Sequence, residues 1–457
     1  MSITRIGYSL LIGMTLMMPP AQVTAQDIQT TYREAADRLI DAALSDSSAY
    51  HRLSALVDQF GPRFSGSSNL EDAIDWILEA MRLDGLENVR GEPVMVPRWV
   101  RGHESLELTR PRARTLPMLG LGGSIGTPPQ GITAQVLVVR DWADLAQKAD
   151  LARGRIVVYN PPWEGYGNTV AYRRDGAVEA AKVGAVASLI ASVTPYSMQT
   201  PHTGNSAYAE GVPRIPHAAM TREDVQMLER MQHRGERIEV RLYMEAQQMP
   251  DVESRNIVGE IVGREFPEEV VVLGGHIDSW DVGQGAMDDG GGSVAAWEAV
   301  RLMHALGMRP RRTVRVVLWT NEENGLRGGT AYRDQHADEL SNHILAMESD
   351  AGVFKPSGFG FTGSDAAFGI VREVGSLLDR IEAGTVTRGG GGADIGPIMQ
   401  RGVPGMGLQV DGTRYFWYHH TDADTIDKLD PEEVARCVAT MAVMAYVIAD
   451  MPERLPR

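Results

Sequence analysis

Residues 274–292 read GGHIDSWDVGQGAMDDGGG, which sets His276 and Asp278 two residues apart and follows them with the acidic pair Asp288 and Asp289. The apolar run before them, residues 270–273, has the length and branching of a buried strand, so His276 and Asp278 leave from one strand end. An imidazole and several carboxylates gathered there could hold a metal ion. Read alone, the stretch is equally a polar loop whose Asp residues cap the next helix, a role that suits Asp289 in particular. Other segments strengthen the metal reading. A second strand-like run, residues 314–319, ends in Thr320-Asn321-Glu322-Glu323-Asn324-Gly325, and a third, residues 344–347, ends in Glu348-Ser349-Asp350. Further on, Tyr415-Phe416-Trp417-Tyr418-His419-His420-Thr421-Asp422 places two adjacent histidines among aromatic residues. Ligand sites in open α/β sheets form at the carboxyl ends of strands, so these four segments can share one crevice.

No G-x-S-x-G, HExxH or Walker sequence occurs in the chain. What remains is a carboxylate-rich site with few histidines. Zinc accepts both His and Asp/Glu. Two divalent ions also offset acids that otherwise repel one another, and a bridging carboxylate lets such a pair sit ~3.5–4 Å apart. A pair of ions implies hydrolysis, because it lowers the pKa of bound water toward ~7, polarises a carbonyl and stabilises the oxyanion. A carboxylate outside the metal ligands then takes the water's proton.

The elements that must position these residues follow from periodicity. From Asn256 onward strand and helix patterns alternate. Residues 293–306 are apolar except for Glu298, Arg301 and His304, which predicts a largely buried helix with one narrow solvated stripe. Residues 358–363, GFGFTG, match G-x-G-x-x-G, but their alternating Phe residues read as a strand rather than a nucleotide loop. Asp430-Pro431-Glu432-Glu433 supplies an N-cap, an N1 proline and an acidic first turn for a last helix running to about residue 449. That helix contains Cys437, the only cysteine, so no intrachain disulfide exists and the thiol reads as buried and inert. In the N-terminal part, Ser68-Asn69-Leu70-Glu71 reads as a capping box, and Ile74, Ile77, Leu78 and Met81 line one helix face. Composition shifts to Pro, Gly and Thr over residues 110–131. Beyond it a self-contained strand-and-helix unit runs to a final strand at 238–243. The chain therefore divides into a leader, 1–25, a main domain in two pieces, 26–117 and 249–457, and a domain inserted between them, 118–248.

Residues 1–25 hold one charge, Arg5, an apolar core at 6–18, and small residues at Val23-Thr24-Ala25, the pattern of a secretory signal cut after Ala25. The core is too short for the ~20 residues that span a bilayer. The mature chain is expected to be soluble, free of membrane, and exported to a periplasm or beyond. Loss of the leader takes the formal net charge from −16 to −17. An acidic surface disfavours nucleic acid and anionic membranes.

Taken together, HID, AMDDGGG, NEENGLRGG, ESDAG and YHHTDADT resemble, in that order, the motifs of the M28 family of cocatalytic zinc peptidases. Residues 118–248 resemble the protease-associated (PA) domain inserted in one branch of it, so the likeness covers nearly all of the mature chain. It implies the zinc exopeptidase fold: α/β, a twisted, mostly parallel sheet flanked by helices, with an inserted PA domain. By that resemblance His276 and Asp350 ligate one of two zinc ions, Glu323 and His420 the other, and Asp288 bridges them. Glu322 is then the general base, and Asp278 orients His276. His420 is preferred to His419 because the family places Thr directly after the ligand, as Thr421 is here; His419 contacts substrate or packs. Asp288 is preferred to Asp289 because it precedes the D/N-G-x-G run, and in relatives the peptide after it is cis. Asp394 and Pro397 resemble a segment lining the substrate pocket, and Tyr418 either donates to substrate or oxyanion or simply packs. The implied activity is hydrolysis of dipeptides or short peptides in a partly covered site, by a homodimer on the same analogy. Two other readings share the fold. A non-catalytic binding protein lacks such ligands in its transferrin-receptor-like examples, whereas all five are here. A glutaminyl-cyclase-like acyltransferase is disfavoured by the inserted domain and the two-metal set. The sequence leaves open whether an aminopeptidase or a dipeptidase needing both free termini results.

Overall fold

The computed structural model describes residues 25–457, so the expected leader falls outside the described residues save for Ala25. In chain order, β1 (Glu87–Val100) belongs to a first sheet. β2 (Glu104–Arg110), β3 (Arg114–Leu116), β4 (Met118–Gly120), β5 (Ile132–Val139), β6 (Ile156–Tyr159), β7 (Ala187–Ala191), β8 (His217–Met220) and β9 (Glu239–Met244) make a second. β10 (Gln247–Ile261), β11 (Phe266–His276), β12 (Arg312–Trp319), β13 (His343–Glu348), β14 (Pro356–Thr362), β15 (Thr385–Arg388) and β16 (Gly405–Val410) complete the first, in the order β1-β10-β12-β11-β13-β16-β14-β15. Its centre, β12, β11, β13 and β16, is parallel, while β10 and β14 pair antiparallel on either side. The GFGFTG stretch lies in β14 and its following turn.

The central strands are apolar almost throughout because helices cover both faces. Successive side chains alternate between them: Val271 and Leu273 of β11 enter the larger core with Val316 and Leu318, whereas Val270 and Val272 face the other with Val317 and Trp319. Helices Gly291–Ala305 and Pro431–Asp450 fill the larger core, and Cys437 is buried there. Asp430 caps the second of them, accepting from the N–H groups of Glu432 and Glu433. Two expectations need correction. Ser67, not Ser68, caps helix Ser68–Leu83, because Ser67 keeps extended backbone and its Oγ accepts from Leu70 N–H. Glu298 is buried rather than solvated, since Arg52 and Arg301 each reach it at 2.7 Å.

The second sheet grows out of a long antiparallel ribbon. β1 and β10 pair from Glu87↔Glu260 to Val100↔Gln247, so chain entry and exit lie side by side. The sheet already includes β2 and β3, ahead of the expected boundary at 118. Trp280, from the loop after β11, is buried in the second unit's core and stacks on Phe64 at 4.8 Å. Large-to-small changes at such a position cost about 3–5 kcal/mol, so the two units are firmly docked. No helix among the described residues is long and apolar enough to cross a membrane.

Candidate metal centre

Register brings the acidic strand ends together. His276 pairs with Trp319 across β11 and β12, and Gly274 with Glu348 across β11 and β13, so the segments that follow emerge at one edge. His276 Nε2 lies 3.3 Å from both Asp288 Oδ1 and Asp350 Oδ1. His420 Nε2 lies 3.3 Å from Asp288 Oδ2 and 3.0 Å from Glu323 Oε2. The two oxygens of Asp288 thus face two separate pairs of donors. A tetrahedral zinc ion with bonds of ~2.0–2.1 Å keeps its ligands roughly 3.3 Å apart, which these separations match. His276 Nε2, Asp288 Oδ2 and Glu323 Oε1 are buried without a hydrogen-bond partner. Such atoms cost about 1–3 kcal/mol each, a cost that bound cations would remove. His419 Nε2 also approaches Asp288 Oδ2, at 3.5 Å, its ring stacked on that of His420. A left-handed backbone at His420, φ 62°, accompanies this arrangement of the adjacent imidazoles.

Supporting contacts hold these groups in place. His276 Nδ1 lies 2.9 Å from the backbone carbonyl of Asp278, which can only accept, so the proton sits on Nδ1 and Nε2 is free to ligate. The Asp278 carboxylate is 3.7 Å from that ring. It serves elsewhere, accepting from the N–H groups of Glu322 and Glu323 at 3.1 and 3.3 Å and from Ser65 Oγ at 3.2 Å. Asp278 therefore orients His276 through its main chain and the glutamate pair through its side chain. Asp289 accepts from the N–H groups of His276 and Gly292, the capping role open to it from sequence. The Asp288–Asp289 peptide is cis. Glu322 and Glu323 lie in a turn after Asn321, whose φ is 66°, and both side chains reach the same cavity.

Two positioning residues were missed. Asp424 accepts from the N–H groups of Ala286, Met287 and Asp288 at 3.1, 2.7 and 3.2 Å, holding the loop that carries Asp288. Its place inside YHHTDADT was the available signal. Arg63 is fully buried and donates to the carbonyls of Gly61, Ile277, Gln284 and Gly285; nothing in the local sequence marks it.

The field of the site is strongly negative. Burial pushes the Glu323 carboxyl up to about 7, with Asp288 adding to the rise. Burial, then Asp350 and Glu323, holds Glu322 well above the usual carboxylate range. Burial favours the neutral ring of His420, yet Glu323 and Asp288 outweigh it and hold its pKa up to about 9. A field that draws a proton so firmly also draws a divalent cation.

A cavity of about 520 Å³ opens over these groups. Asp288, Glu322, Glu323 and Asp350 line it, with Tyr415, Phe416 and both histidines, and the second unit adds Tyr166 and Arg173. Three expected pocket residues are elsewhere. Tyr418 packs half-buried against the larger core, and Tyr415, one turn earlier, takes the cavity position. Asp394 is buried behind the site, its carboxyl held well above the usual range by burial and by Glu348, and Pro397 is buried in the short helix that follows. They are displaced because Ile395 N–H docks on Glu348 Oε2 at 2.8 Å, drawing that turn under the sheet edge.

Residues 256–445 match the family described as Peptidase family M28. Human carboxypeptidase Q is 52% identical over 409 residues, covering 90% of this chain and 87% of that protein. The chain belongs to peptidase family M28. Among solved structures, this M28 chain is similar to a peptidase M28 precursor from Shewanella amazonensis SB2B, with a TM-score of 0.89 and 34% identity over 94% of this chain and 99% of the other. A zinc aminopeptidase from Bacillus subtilis shares the fold, with a TM-score of 0.68 at 22% identity over 89% and 96% of the two chains.

Proposed function

We propose that the chain is a zinc-dependent exopeptidase that hydrolyses dipeptides or short peptides with two bound ions. The observation that carries this reading is Asp288, whose two oxygens each lie 3.3 Å from a different histidine, each histidine in turn beside a further acid. His276 and Asp350 would hold one ion, His420 and Glu323 the other, with Asp288 between them. Glu323, whose Oε2 lies 3.0 Å from His420 Nε2, is assigned ahead of His419 by the family resemblance, although His419 Nε2 also comes within 3.5 Å of Asp288 Oδ2 and groups with Asp288 and His420 as a possible ligand set. Zinc suits this mixture of imidazole and carboxylate, and the Bacillus subtilis neighbour is itself described as a zinc enzyme. When bound, the ions supply Lewis acidity toward the scissile carbonyl and a water activated at neutral pH.

The chain's own groups do the rest. Glu322 belongs to neither donor pair, faces the cavity, and sits where its proton affinity is raised, so it accepts the proton of the attacking water and returns it to the leaving amine. Asp278 fixes the backbone from which Glu322 and Glu323 project. The second unit, which we take as a PA domain, walls the cavity and favours short substrates. Export and a homodimeric state remain part of the proposal by resemblance. The test is chelation. A chelator should abolish dipeptide hydrolysis, zinc should restore it, and the active protein should hold two ions per chain. Full activity with less than one divalent ion per chain would overturn the assignment.

A further inference from the structure

The two histidines that face Asp288 are held in different ways. His276 Nδ1 finds its acceptor two residues on, in the Asp278 carbonyl at 2.9 Å, within the main domain. His420 reaches out of the main domain for its partner. Its Nδ1 lies 3.3 Å from the carbonyl of Thr203, 217 positions away in the second unit, and the Thr203 N–H donates back to the His420 carbonyl at 3.0 Å. A carbonyl can only accept, so it places the proton of His420 on Nδ1 and leaves Nε2, the atom that faces Asp288 and Glu323, free to ligate. Arg173 Nη1, in helix Tyr166–Lys182, donates to the same Thr203 carbonyl at 3.3 Å. The two lone pairs of that oxygen serve both donors.

Thr203 is itself firmly placed. It is fully buried, and its Oγ1 donates to the Gly120 carbonyl at 2.8 Å. On one side the His202 N–H donates to Ser192 Oγ at 2.9 Å, and on the other the Gly204 carbonyl accepts from Gly122 N–H at 3.0 Å. Gly204 has φ 139°, a backbone that suits glycine, and a Cβ there would lie 2.3 Å from Arg173 Cζ. The Thr203 carbonyl belongs to the peptide next to that angle, so the glycine sets its direction. A further tie, from Thr194 Oγ1 to the Phe416 carbonyl, pins the same turn four residues before His420. Thr203 is not among the residues lining the cavity, so this strap grips the back of the imidazole rather than a substrate. On the two-ion reading of the site, we propose that the second unit, through the main chain of Thr203, positions His420 as a zinc ligand. The ion between His420 and Glu323 then depends on the docking of that unit. The ion between His276 and Asp350 does not, because its histidine is oriented from within the main domain.

The experiment reads each ion separately in the full-length protein, by zinc competition against a chromophoric chelator and by NMR of the cadmium-loaded form. Wild type should take up two ions and give two cadmium resonances. Glu323→Gln and Asp350→Asn, each removing one ligand, show which resonance belongs to which ion. Gly204→Ala turns the Thr203 carbonyl and should perturb only the resonance marked by Glu323→Gln, weakening that ion by ~10–100-fold, the scale for outer partners of metal sites. Gly211→Ala is the control, since Gly211 in the same unit also has a left-handed φ, 77°, but a Cβ there would meet nothing within 4 Å. It should leave both ions as in wild type. Should Gly204→Ala not fold, Thr203→Val carries the test. It keeps the shape, loses the bond to the Gly120 carbonyl, and should loosen the same ion by a smaller factor. Equal weakening of both ions, weakening of the ion marked by Asp350→Asn, or no weakening at all overturns the proposal. Wild type that takes up fewer than two ions would instead overturn the two-ion reading beneath it.

Discussion

Asp424 offers a test of how Asp288, the proposed bridge, is held. Its Oδ1 accepts from Ala286 and Met287 N–H, and its Oδ2 from Asp288 N–H. In Asp424→Asn the carbonyl oxygen can keep the first two bonds, but an amide NH₂ replaces the second oxygen and meets the Asp288 N–H donor to donor. One buried N–H is left unpaired, which costs about 1–3 kcal/mol. The loss falls on the residue that both donor pairs share. Spent on metal binding, at about 1.4 kcal/mol per factor of ten, it corresponds to a roughly 5- to 150-fold weaker zinc affinity, a span that brackets the ~10–100-fold found for outer partners of metal sites. The measurement is zinc affinity by competition with a chromophoric chelator, with kcat read again at saturating zinc. Asp422→Asn is the matched control, because Asp422 is exposed and the charge change is the same. We expect Asp424→Asn to lose affinity and recover most of its kcat at high zinc, and Asp422→Asn to behave as wild type. If the two variants bind zinc alike, the hydrogen bonds at Asp424 do not organise the metal loop.

Glu322→Gln should keep both ions while lowering kcat by ~10²–10⁴, the scale of general acid–base catalysis, whereas Glu323→Gln should loosen a metal. Metal analysis beside kcat separates them, and a reversed pattern would exchange their roles. Away from the site, His336 is sandwiched between Glu339 at 2.5 Å and Glu92 at 3.0 Å. Burial favours its neutral form, but Glu339 and Glu92 outweigh that and raise its pKa above the usual imidazole value. The stabilisation is therefore fully present below about pH 6.5 and fades as pH rises through the folded value. His336→Gln should cost about 1.5–3 kcal/mol near pH 6 and markedly less at pH 9, read from denaturant midpoints; an equal cost at both would refute the charged pairing.

The candidate site residues were legible in the sequence as a set, because strands announce their ends by a switch from apolar to polar and metal ligation draws on few residue types; their individual roles came from the family resemblance. His276, Glu322, Glu323 and Asp350 stand at or just past such strand ends, which the sheet register brings to one edge, and the loop carrying Asp288 and the turn carrying His420 fold over the same cavity. The helix pattern likewise foretold Pro431–Asp450 down to its cap. Other features were not written locally. Whether Asp278 reaches the His276 ring through its carboxylate or its carbonyl turns on less than an ångström in a loop. Tyr418 and Tyr415 share one aromatic run, and only the packing of that turn decides which ring meets the cavity. Arg173 meets His420 across 247 positions of sequence. A short-range pattern encodes which way a side chain faces within its own element, but the meeting of two elements depends on how whole sheets dock, here through the β1–β10 ribbon and Trp280 seated in the second unit's core.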